Sequence, residues 1–134
     1  MHIGIVGAGY VGLVTAACLS DFGHEITCVD IDTAKVENLK KGIIPIFEPG
    51  LDQVVSKNLK AERLVFSGKV KDVLRCKVIF IAVGTPEEKT SGSPDLKALF
   101  AACEELKNKL LNDTILVIKS TVPVGTNKLV KNIL

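Results

Sequence analysis

Three glycines and one aspartate near the N-terminus form the pattern in this chain that is best suited to chemistry. Gly7, Gly9 and Gly12 follow an apolar run at residues 3–6, and Asp30 ends a second apolar run. In this order, Gly7 permits a tight turn, Gly9 lets bare main chain approach a pyrophosphate, and Gly12 lets the next helix pack closely on a sheet. The N–H groups and the positive dipole end at the helix start would meet the phosphate charge. The pattern therefore predicts a dinucleotide site.

Asp30 indicates which dinucleotide is bound. A carboxylate at the end of the second strand can accept hydrogen bonds from both hydroxyls of the adenosine ribose. A 2′-phosphate would bring like charges to about 4 Å, at a cost on the order of 4 kcal/mol per charge pair before screening. NAD is therefore expected over NADP. Lys35 leaves an alternative open, because a nearby cation could accommodate a 2′-phosphate, whereas its other interpretation is a solvated helix lysine.

Two later segments each have a structural and a functional interpretation. Residues 84–86 follow the fourth apolar run, either as a turn that ends a strand or as main chain that passes the cofactor. Residues 119–126 follow the fifth run and are rich in hydroxyls. These hydroxyls either cap the last helix or face the nicotinamide half of the cofactor. Both alternatives stay open at this point.

Five apolar runs are predicted as strands, and helical segments separate them. The runs are continuous rather than alternating, as expected for strands covered on both faces. They are Ile3–Val6, Ile26–Val29, Leu64–Phe66, Val78–Val83 and Ile115–Ile118. The alternation predicts an α/β fold with a Rossmann-type, doubly wound parallel sheet in three αβα layers and strand order 3-2-1-4-5. This order places a crevice between the carboxyl ends of the first and fourth strands.

Caps, glycines and prolines mark the expected helices. These lie near Val11–Phe22, Thr33–Lys40 and Leu51–Leu59, after Asp95, and from about Gly125, with a short helical stretch near Lys69–Leu74. Asp32 is expected to cap the second helix. Pro94 is expected in the first turn of the fourth, whose apolar stripe runs from Leu96 to Leu110.

Composition limits the class of protein. The chain has 134 residues, which fits one domain, and a net charge of +2, which gives no basis for nucleic-acid binding. Glycines interrupt the uncharged N-terminal stretch and no lysine or arginine precedes it, so neither a signal peptide nor a membrane span is expected. The four cysteines, which are Cys18, Cys28, Cys76 and Cys103, do not have the spacing of metal ligands, so no bound metal is expected. They are expected to be small buried hydrophobic residues. Such free cysteines indicate a reducing, cytoplasmic location.

No sixth strand follows the last helix, which ends at Leu134. A complete dinucleotide-binding fold of this type usually has six strands. We therefore expect residues 1–134 to be the N-terminal, NAD-binding portion of a longer polypeptide.

Five segments in register resemble one family. They are Gly-Ala-Gly-Tyr-Val-Gly at 7–12, Val-Asp-Ile-Asp at 29–32, Pro-Ile at 45–46 with Glu-Pro-Gly-Leu at 48–51, Val-Gly-Thr-Pro at 83–86 and Lys-Ser-Thr-Val-Pro-Val-Gly-Thr at 119–126. Together they resemble the N-terminal domain of the UDP-glucose/GDP-mannose dehydrogenases over essentially the whole chain. The form Ser-Thr-Val-Pro-Val-Gly-Thr favours the UDP-glucose branch over the GDP-mannose branch.

The resemblance implies an oxidoreductase that oxidises the C6 alcohol of a UDP-sugar to a carboxylate. The substrate would be UDP-glucose and the product UDP-glucuronate, in two steps that consume two NAD⁺. It also implies that the full-length protein is a homodimer. Residues 48–50 are either a helix-start turn or part of the site. By resemblance, the pyrophosphate would contact the main chain from Ala8 to Val11, including Tyr10. The adenosine ribose would contact Asp30 and Lys35. The rest of the cofactor would contact Val83, Gly84, Thr85, Ser120 and Thr121. Thr121 would also support proton transfer near the nicotinamide.

Residues 1–134 do not contain the segment that carries the family's catalytic cysteine. This cysteine belongs to a glycine-rich segment with a following Pro-Lys-Asp, and no cysteine of residues 1–134 has those neighbours. The family's catalytic lysine, asparagine and glutamates also correspond to positions beyond Leu134. This chain alone is therefore expected to bind NAD without turning over.

Two other classes share part of the pattern. A nucleotide-sensing regulatory domain of potassium channels or transporters has a similar length, glycine turn and acidic residue, and would prefer ATP. It would not be expected to carry Glu-Pro-Gly-Leu at 48–51 or the hydroxyl-rich stretch at 119–126. A dehydrogenase of hydroxy acids or acyl thioesters would have the same fold with a different second domain.

Overall fold

A computed structural model describes residues 1–88 and 92–134, and its central feature is a five-stranded parallel sheet with the order β3-β2-β1-β4-β5. The predicted fold class and strand order are therefore confirmed. The elements in chain order are β1 (His2–Val6), α1 (Tyr10–Asp21), β2 (Glu25–Val29), α2 (Thr33–Lys40), α3 (Leu51–Lys60), β3 (Leu64–Ser67), a 3₁₀ helix (Val70–Val73), β4 (Val78–Ile81), α4 (Lys97–Leu106), β5 (Ile115–Ile118) and α5 (Thr126–Ile133).

Two hydrophobic clusters cover the two faces of the sheet. Successive strand residues alternate between them, so that Ile5 belongs to one cluster and Val6 to the other. Helices α1, α2 and α3 contribute to the first cluster, and the 3₁₀ helix, α4 and α5 to the second. Gly4 explains the close approach of the 3₁₀ helix to β1, since a Cβ at Gly4 would lie 2.7 Å from the Val73 Cβ. The continuous apolar runs are thus explained by burial on both sides.

The second half of the chain differs from the sequence prediction in three places. Strand β4 ends at Ile81 rather than Val83, because the chain then turns along the crevice. Helix α4 begins at Lys97, so Pro94 precedes the helix instead of lying in its first turn, although the Asp95 carboxylate does accept from the Lys97 N–H at 2.9 Å. The helix ends at Leu106, and positive φ at Asn108 separates it from Leu110.

Two residues that were predicted to be covered are exposed. Ile115 of β5 is 61% exposed, because β5 is an edge strand with a neighbour on one side. Cys18 is exposed, so the prediction that all four cysteines are buried was wrong for this residue. Its side chain lies about 140° around the helix from Leu13, which faces the core. Asp32 caps α2 as predicted, accepting from the Lys35 N–H at 2.9 Å.

A candidate dinucleotide site at the carboxyl edge of the sheet

The loop between β1 and α1 needs glycine at two positions for the fold and leaves a third open. Gly7 has φ of +102°, and a Cβ there would lie 2.6 Å from the Ala82 carbonyl oxygen. A Cβ at Gly12 would lie 1.8 Å from the Gly7 carbonyl oxygen, so α1 packs against the turn itself. A Cβ at Gly9 would meet no atom of residues 1–88 and 92–134 within 4 Å. Gly7 and Gly12 therefore serve the fold, whereas the space beside Gly9 is available to a ligand.

The N-terminal end of α1 is open to an anion. Gly9 is its N-cap, no side chain in the described part of the chain caps it, and its first turn contains no acidic residue. The first bond of the helix runs from the Leu13 N–H to the Gly9 carbonyl at 2.8 Å. The N–H groups of Tyr10, Val11 and Gly12 therefore have no acceptor within the helix. These donors and the helix dipole can bind phosphate oxygens.

Asp30 is built into this loop from the neighbouring strand. Its Oδ2 accepts from the Ala8 N–H at 2.8 Å, and its Oδ1 accepts from the Asp32 N–H at 2.9 Å. Burial by itself would raise the pKa of Asp30, but hydrogen bonds from Asp32 and Ala8, together with Lys35, outweigh burial and hold the pKa below its ordinary value. Asp30 is thus ionised at neutral pH and fixes the turn that it follows in sequence.

Lys35 pairs with Asp30, and this pairing limits what the carboxylate can still accept. The Lys35 Nζ lies 3.0 Å from the Asp30 Oδ2, and the two side chains are 27% and 9% exposed. A carboxylate has about four acceptor positions, and three are occupied by Ala8, Asp32 and Lys35. Both ribose hydroxyls can bind Asp30 only if the Lys35 ammonium moves or shares its position. The sequence interpretation of Lys35 as a solvated helix lysine was wrong.

A cavity of about 520 Å³ runs along the carboxyl ends of β1, β2, β3 and β4. This volume is within the range of ligand and cofactor sites. Six of the predicted residues line it, namely Gly7, Gly9, Asp30, Lys35, Val83 and Gly84. The glycine turn, the acidic residue and the segment after β4 are therefore brought to one cavity.

Other predicted residues lie at the turn or between loops and do not line the cavity. Ala8, Tyr10, Val11 and Gly12 form the turn and the first helical residues beside it.

Two hydroxyls join the segments after β4 and β5. The Thr85 hydroxyl donates to the Thr121 carbonyl at 2.9 Å, and the Ser120 hydroxyl donates to the Val83 carbonyl at 2.7 Å. Ser120 and Thr85 thus hold Val83 and Thr121 in register. Thr121 is exposed at this edge.

The segment at residues 48–50 has both a helix-start contact and a contact with the glycine loop. Gly50 is the N-cap of α3, and the Leu51 N–H donates to the Glu48 carbonyl at 3.1 Å, so the helix-start interpretation is confirmed. The Tyr10 hydroxyl donates to the Glu48 carboxylate, and this hydrogen bond raises the pKa of Tyr10. The segment therefore contacts the first residue of α1 from outside the cavity.

Sequence reasoning missed one wall of the cavity. Ile31, Gly68 and Val70 line it from the segments after β2 and β3. Ala98, Ala101, Ala102 and Glu105 line it from α4. The alanines at helical spacing were the available signal, but apolar small residues along a helix equally indicate core packing.

Three of the four cysteines are buried, and all four are free thiols. Burial raises the pKa of the Cys28 thiol to about 12 and that of Cys76 to about 11. Within residues 1–88 and 92–134, no group of three His, Cys, Asp or Glu side chains could hold a metal ion. No helix in those ranges has the length and apolar character needed to cross a membrane.

Comparison with known proteins identifies the class to which this site belongs. Residues 1–134 match the profile of the UDP-glucose/GDP-mannose dehydrogenase family, NAD binding domain. The chain belongs to this family. It is 49% identical over 135 residues to a UDP-glucose 6-dehydrogenase of Rhizobium meliloti, covering 100% of this chain and 31% of that protein.

Solved structures of this family share the fold. A ternary complex of GDP-mannose dehydrogenase from Pseudomonas aeruginosa superposes with a TM-score of 0.91 at 36% identity, covering 99% of this chain and 31% of that one. A UDP-glucose dehydrogenase from Pyrobaculum islandicum has a TM-score of 0.91 at 34% identity, covering 98% and 32%. Both are dehydrogenases by name, and NAD is the cofactor of the matched domain.

The whole-length match also separates the alternatives. Over its whole length this chain matches the NAD binding domain of the UDP-glucose/GDP-mannose dehydrogenase family, so the regulatory module of channels or transporters is not supported. The chain spans about a third of the length of the relatives it matches.

Proposed function

We propose that the cavity binds NAD with its pyrophosphate on the N-terminal end of α1 and its adenosine ribose at Asp30. The observation that carries this proposal is the hydrogen bond from the Ala8 N–H of the glycine turn to the Asp30 carboxylate. This bond holds the main-chain donors for the pyrophosphate and the acceptor for the ribose together as one unit. The open space at Gly9 lets the pyrophosphate approach the main chain. Val83 and Gly84 continue the same cavity beyond β4, where the nicotinamide half would lie in this proposal.

The charge of this site favours NAD over NADP. A 2′-phosphate beside Asp30 would meet a carboxylate that stays ionised at neutral pH. Lys35 is already 3.0 Å from that carboxylate, so its charge is largely used by Asp30. NAD therefore remains the expected cofactor, and Lys35 reduces the difference in affinity between NAD and NADP.

We further propose that this chain is the N-terminal portion of an enzyme that oxidises UDP-glucose to UDP-glucuronate with two NAD⁺. When bound, NAD⁺ supplies the acceptor for hydride from the sugar. Thr121, held next to Thr85, is proposed to support proton transfer near the nicotinamide. The relatives' extra length and the absence of the Pro-Lys-Asp cysteine segment support a nucleophile outside residues 1–134. By the same resemblance, the full-length protein is a homodimer. Free thiols support the cytoplasm as its location.

Calorimetric titration of the chain with NAD⁺, NADP⁺, ATP and ADP tests the cofactor site. We expect NAD⁺ to bind more tightly than NADP⁺ or ATP. Asp30→Asn should weaken NAD⁺ binding by about tenfold or more, because charged hydrogen bonds of this kind contribute roughly 1.5–3 kcal/mol. Asp113→Asn is the matched control, since Asp113 pairs with Lys77 away from the cavity and the charge change is the same. Equal affinity of wild type and Asp30→Asn would overturn the site.

An absorbance assay for NADH tests the reaction. The chain alone, given UDP-glucose and NAD⁺, should form no NADH. A longer polypeptide that begins with these residues should form two NADH per UDP-glucose and much less with GDP-mannose. Sugar-dependent NADH formation by the 134-residue chain would contradict the placement of the nucleophile outside it.

A further inference from the structure

One face of α4 lines the cofactor cavity and ends in a carboxylate. Ala98, Ala101, Ala102 and Glu105 have the spacing i, i+3, i+4 and i+7, which places them on one side of a helix, and all four line the cavity. The three alanines present an apolar wall without long side chains. Such a wall leaves room for a flat ring, and the residue that follows it along the helix is an acceptor of hydrogen bonds.

The position of this wall follows from the order of the strands. The glycine turn follows β1, Asp30 follows β2, and Gly68 and Val70 follow β3, which lies beyond β2. A Cβ at Gly68 would lie 3.9 Å from the Asp30 carbonyl oxygen, so the segment after β3 lies directly against Asp30. The 3₁₀ helix that begins at Val70 packs against α4. With pyrophosphate at the turn and ribose at Asp30, as proposed above, the base would lie next to Val70 and the α4 face.

Glu105 and its neighbour Glu104 have different surroundings. Glu104 lies 3.5 Å from the Lys107 Nζ and does not line the cavity. Glu105 lines the cavity, and within residues 1–88 and 92–134 its carboxylate forms no hydrogen bond or ion pair; only its main-chain carbonyl accepts from Lys109. An ionised carboxylate accepts hydrogen bonds and donates none. It therefore suits a donor on the ligand.

We propose that Glu105 selects adenine by accepting a hydrogen bond from its exocyclic N6 amine. This inference rests on the proposed NAD site. Adenine carries a donor at this position, whereas hypoxanthine and guanine carry a carbonyl oxygen, which a carboxylate repels. A site built to bond one group discriminates strongly against an analogue that lacks it. Glu105 is thus a specificity-determining residue for the base and takes no part in the redox chemistry.

Titrations with NAD⁺ and deamino-NAD⁺, in which hypoxanthine replaces adenine, test the proposal on the 134-residue chain. The measured quantity is the ratio of the two dissociation constants. Wild type should bind deamino-NAD⁺ about tenfold more weakly than NAD⁺. Glu105→Gln should reduce the ratio to about one, because the amide can donate to the hypoxanthine oxygen as well as accept from the amine. Glu104→Gln makes the same charge change outside the cavity and should keep the wild-type ratio.

The outcomes separate this inference from the cofactor site. If NAD⁺ binds but wild type does not discriminate, or if Glu105→Gln keeps the wild-type ratio, the role of Glu105 is overturned and the NAD site stands. If Glu105→Gln and Glu104→Gln change the dissociation constants of NAD⁺ and deamino-NAD⁺ by the same factor, only net charge is acting, and the role of Glu105 is again overturned. If NAD⁺ does not bind at all, the proposed function fails first. Glu105 is exposed, so thermal unfolding should show that its variant folds like wild type.

Discussion

The two ends of helix α1 differ in how their unpaired main-chain groups are satisfied. At its C-terminal end, the Arg63 Nε donates to the Ser20 carbonyl at 3.1 Å and to the Asn58 Oδ1 at 3.0 Å. Asn58 is fully buried and donates in turn to the Asp21 Oδ1 at 3.1 Å. At its N-terminal end, none of the side chains that the structure describes caps the helix, and Gly9 leaves open space beside it.

This difference shows which end serves the fold and which serves the ligand. A cation at a helix C-terminus and hydrogen bonds to its last carbonyls stabilise the folded chain without any partner. A bare N-terminus gains most of its stabilisation only when an anion binds. Changes at the amino edge of the sheet should therefore alter stability, and changes at the carboxyl edge should alter binding.

Gly12 should break this separation with the largest effect. Gly12→Ala places a Cβ 1.8 Å from the Gly7 carbonyl oxygen, so the loop must move. We expect a loss of about 4 kcal/mol in the free energy of unfolding, measured with urea, together with loss of NAD⁺ binding. Gly9→Ala is the matched variant. Its Cβ meets no atom of the described residues within 4 Å, and alanine is only a poorer N-cap than glycine, so stability should fall by no more than about 1 kcal/mol while NAD⁺ binding weakens more than about tenfold. Equal loss of stability in both variants would contradict the different roles of the two glycines.

Asn58 tests the closed end of α1. Asn58→Ala removes the acceptor of Arg63 and the donor to Asp21 within a buried site. The free energy of unfolding should fall by about 2 kcal/mol, while the dissociation constant for NAD⁺ stays within about twofold. Asn127→Ala, on the exposed side of α5, should change stability by less than about 0.5 kcal/mol. A large change in NAD⁺ affinity for Asn58→Ala would show that the two ends are coupled.

Asp30 sharpens the comparison through pH, because its half-buried carboxylate is held by hydrogen bonds at the open end of α1. Its folded-state pKa is below the ordinary value of 3.8, so ionised Asp30 contributes stability that is fully present above that value. This contribution is lost as pH falls through the lower folded-state pKa. The stability difference between wild type and Asp30→Asn, about 1 kcal/mol at neutral pH, should therefore shrink on acidification. A difference that stays constant throughout the acid range would show that its source is not the charge.

Lys35 should give the smallest effect. Lys35→Met removes the cation beside Asp30 and exposes a 2′-phosphate to the full carboxylate charge. The ratio of NADP⁺ to NAD⁺ dissociation constants should rise about threefold, as expected for a partly exposed ion pair. Lys40→Met is the control on the same helix, since Lys40 pairs with Glu37 on the surface. A fall in the ratio would mean that Lys35 already favours NAD over NADP.

Much of the fold and the centre of the site could be predicted from the sequence. Strand β5 and helix α2 have the predicted bounds, and Asp32 caps α2 as expected. The roles of Gly7 and Gly12 in the turn are supported by the atoms that a side chain would meet. These features depend on residues close together in the chain, where local sterics and hydrogen bonds decide the conformation.

The errors and omissions share a different cause. Cys18 was expected to be buried and is exposed, because the rotation of α1 on the sheet decides which of its apolar residues face the core. The face of α4 in the cavity depends in the same way on how that helix packs. Ser120 contacts Val83 because β5 lies beside β4, although 37 residues separate the two.

The sequence by itself determined the order of strands and helices, the glycine turn and the position of a carboxylate at the end of β2. Only the tertiary structure decided that Asp30 binds Ala8 and Lys35, that Arg63 and Asn58 close the far end of α1, and that α4 supplies a wall of the cavity. The physical reason is that a glycine or a cap acts on its own neighbours in the chain. A cavity wall or a buried hydrogen bond depends instead on which elements pack together and on the angle at which each helix meets the sheet.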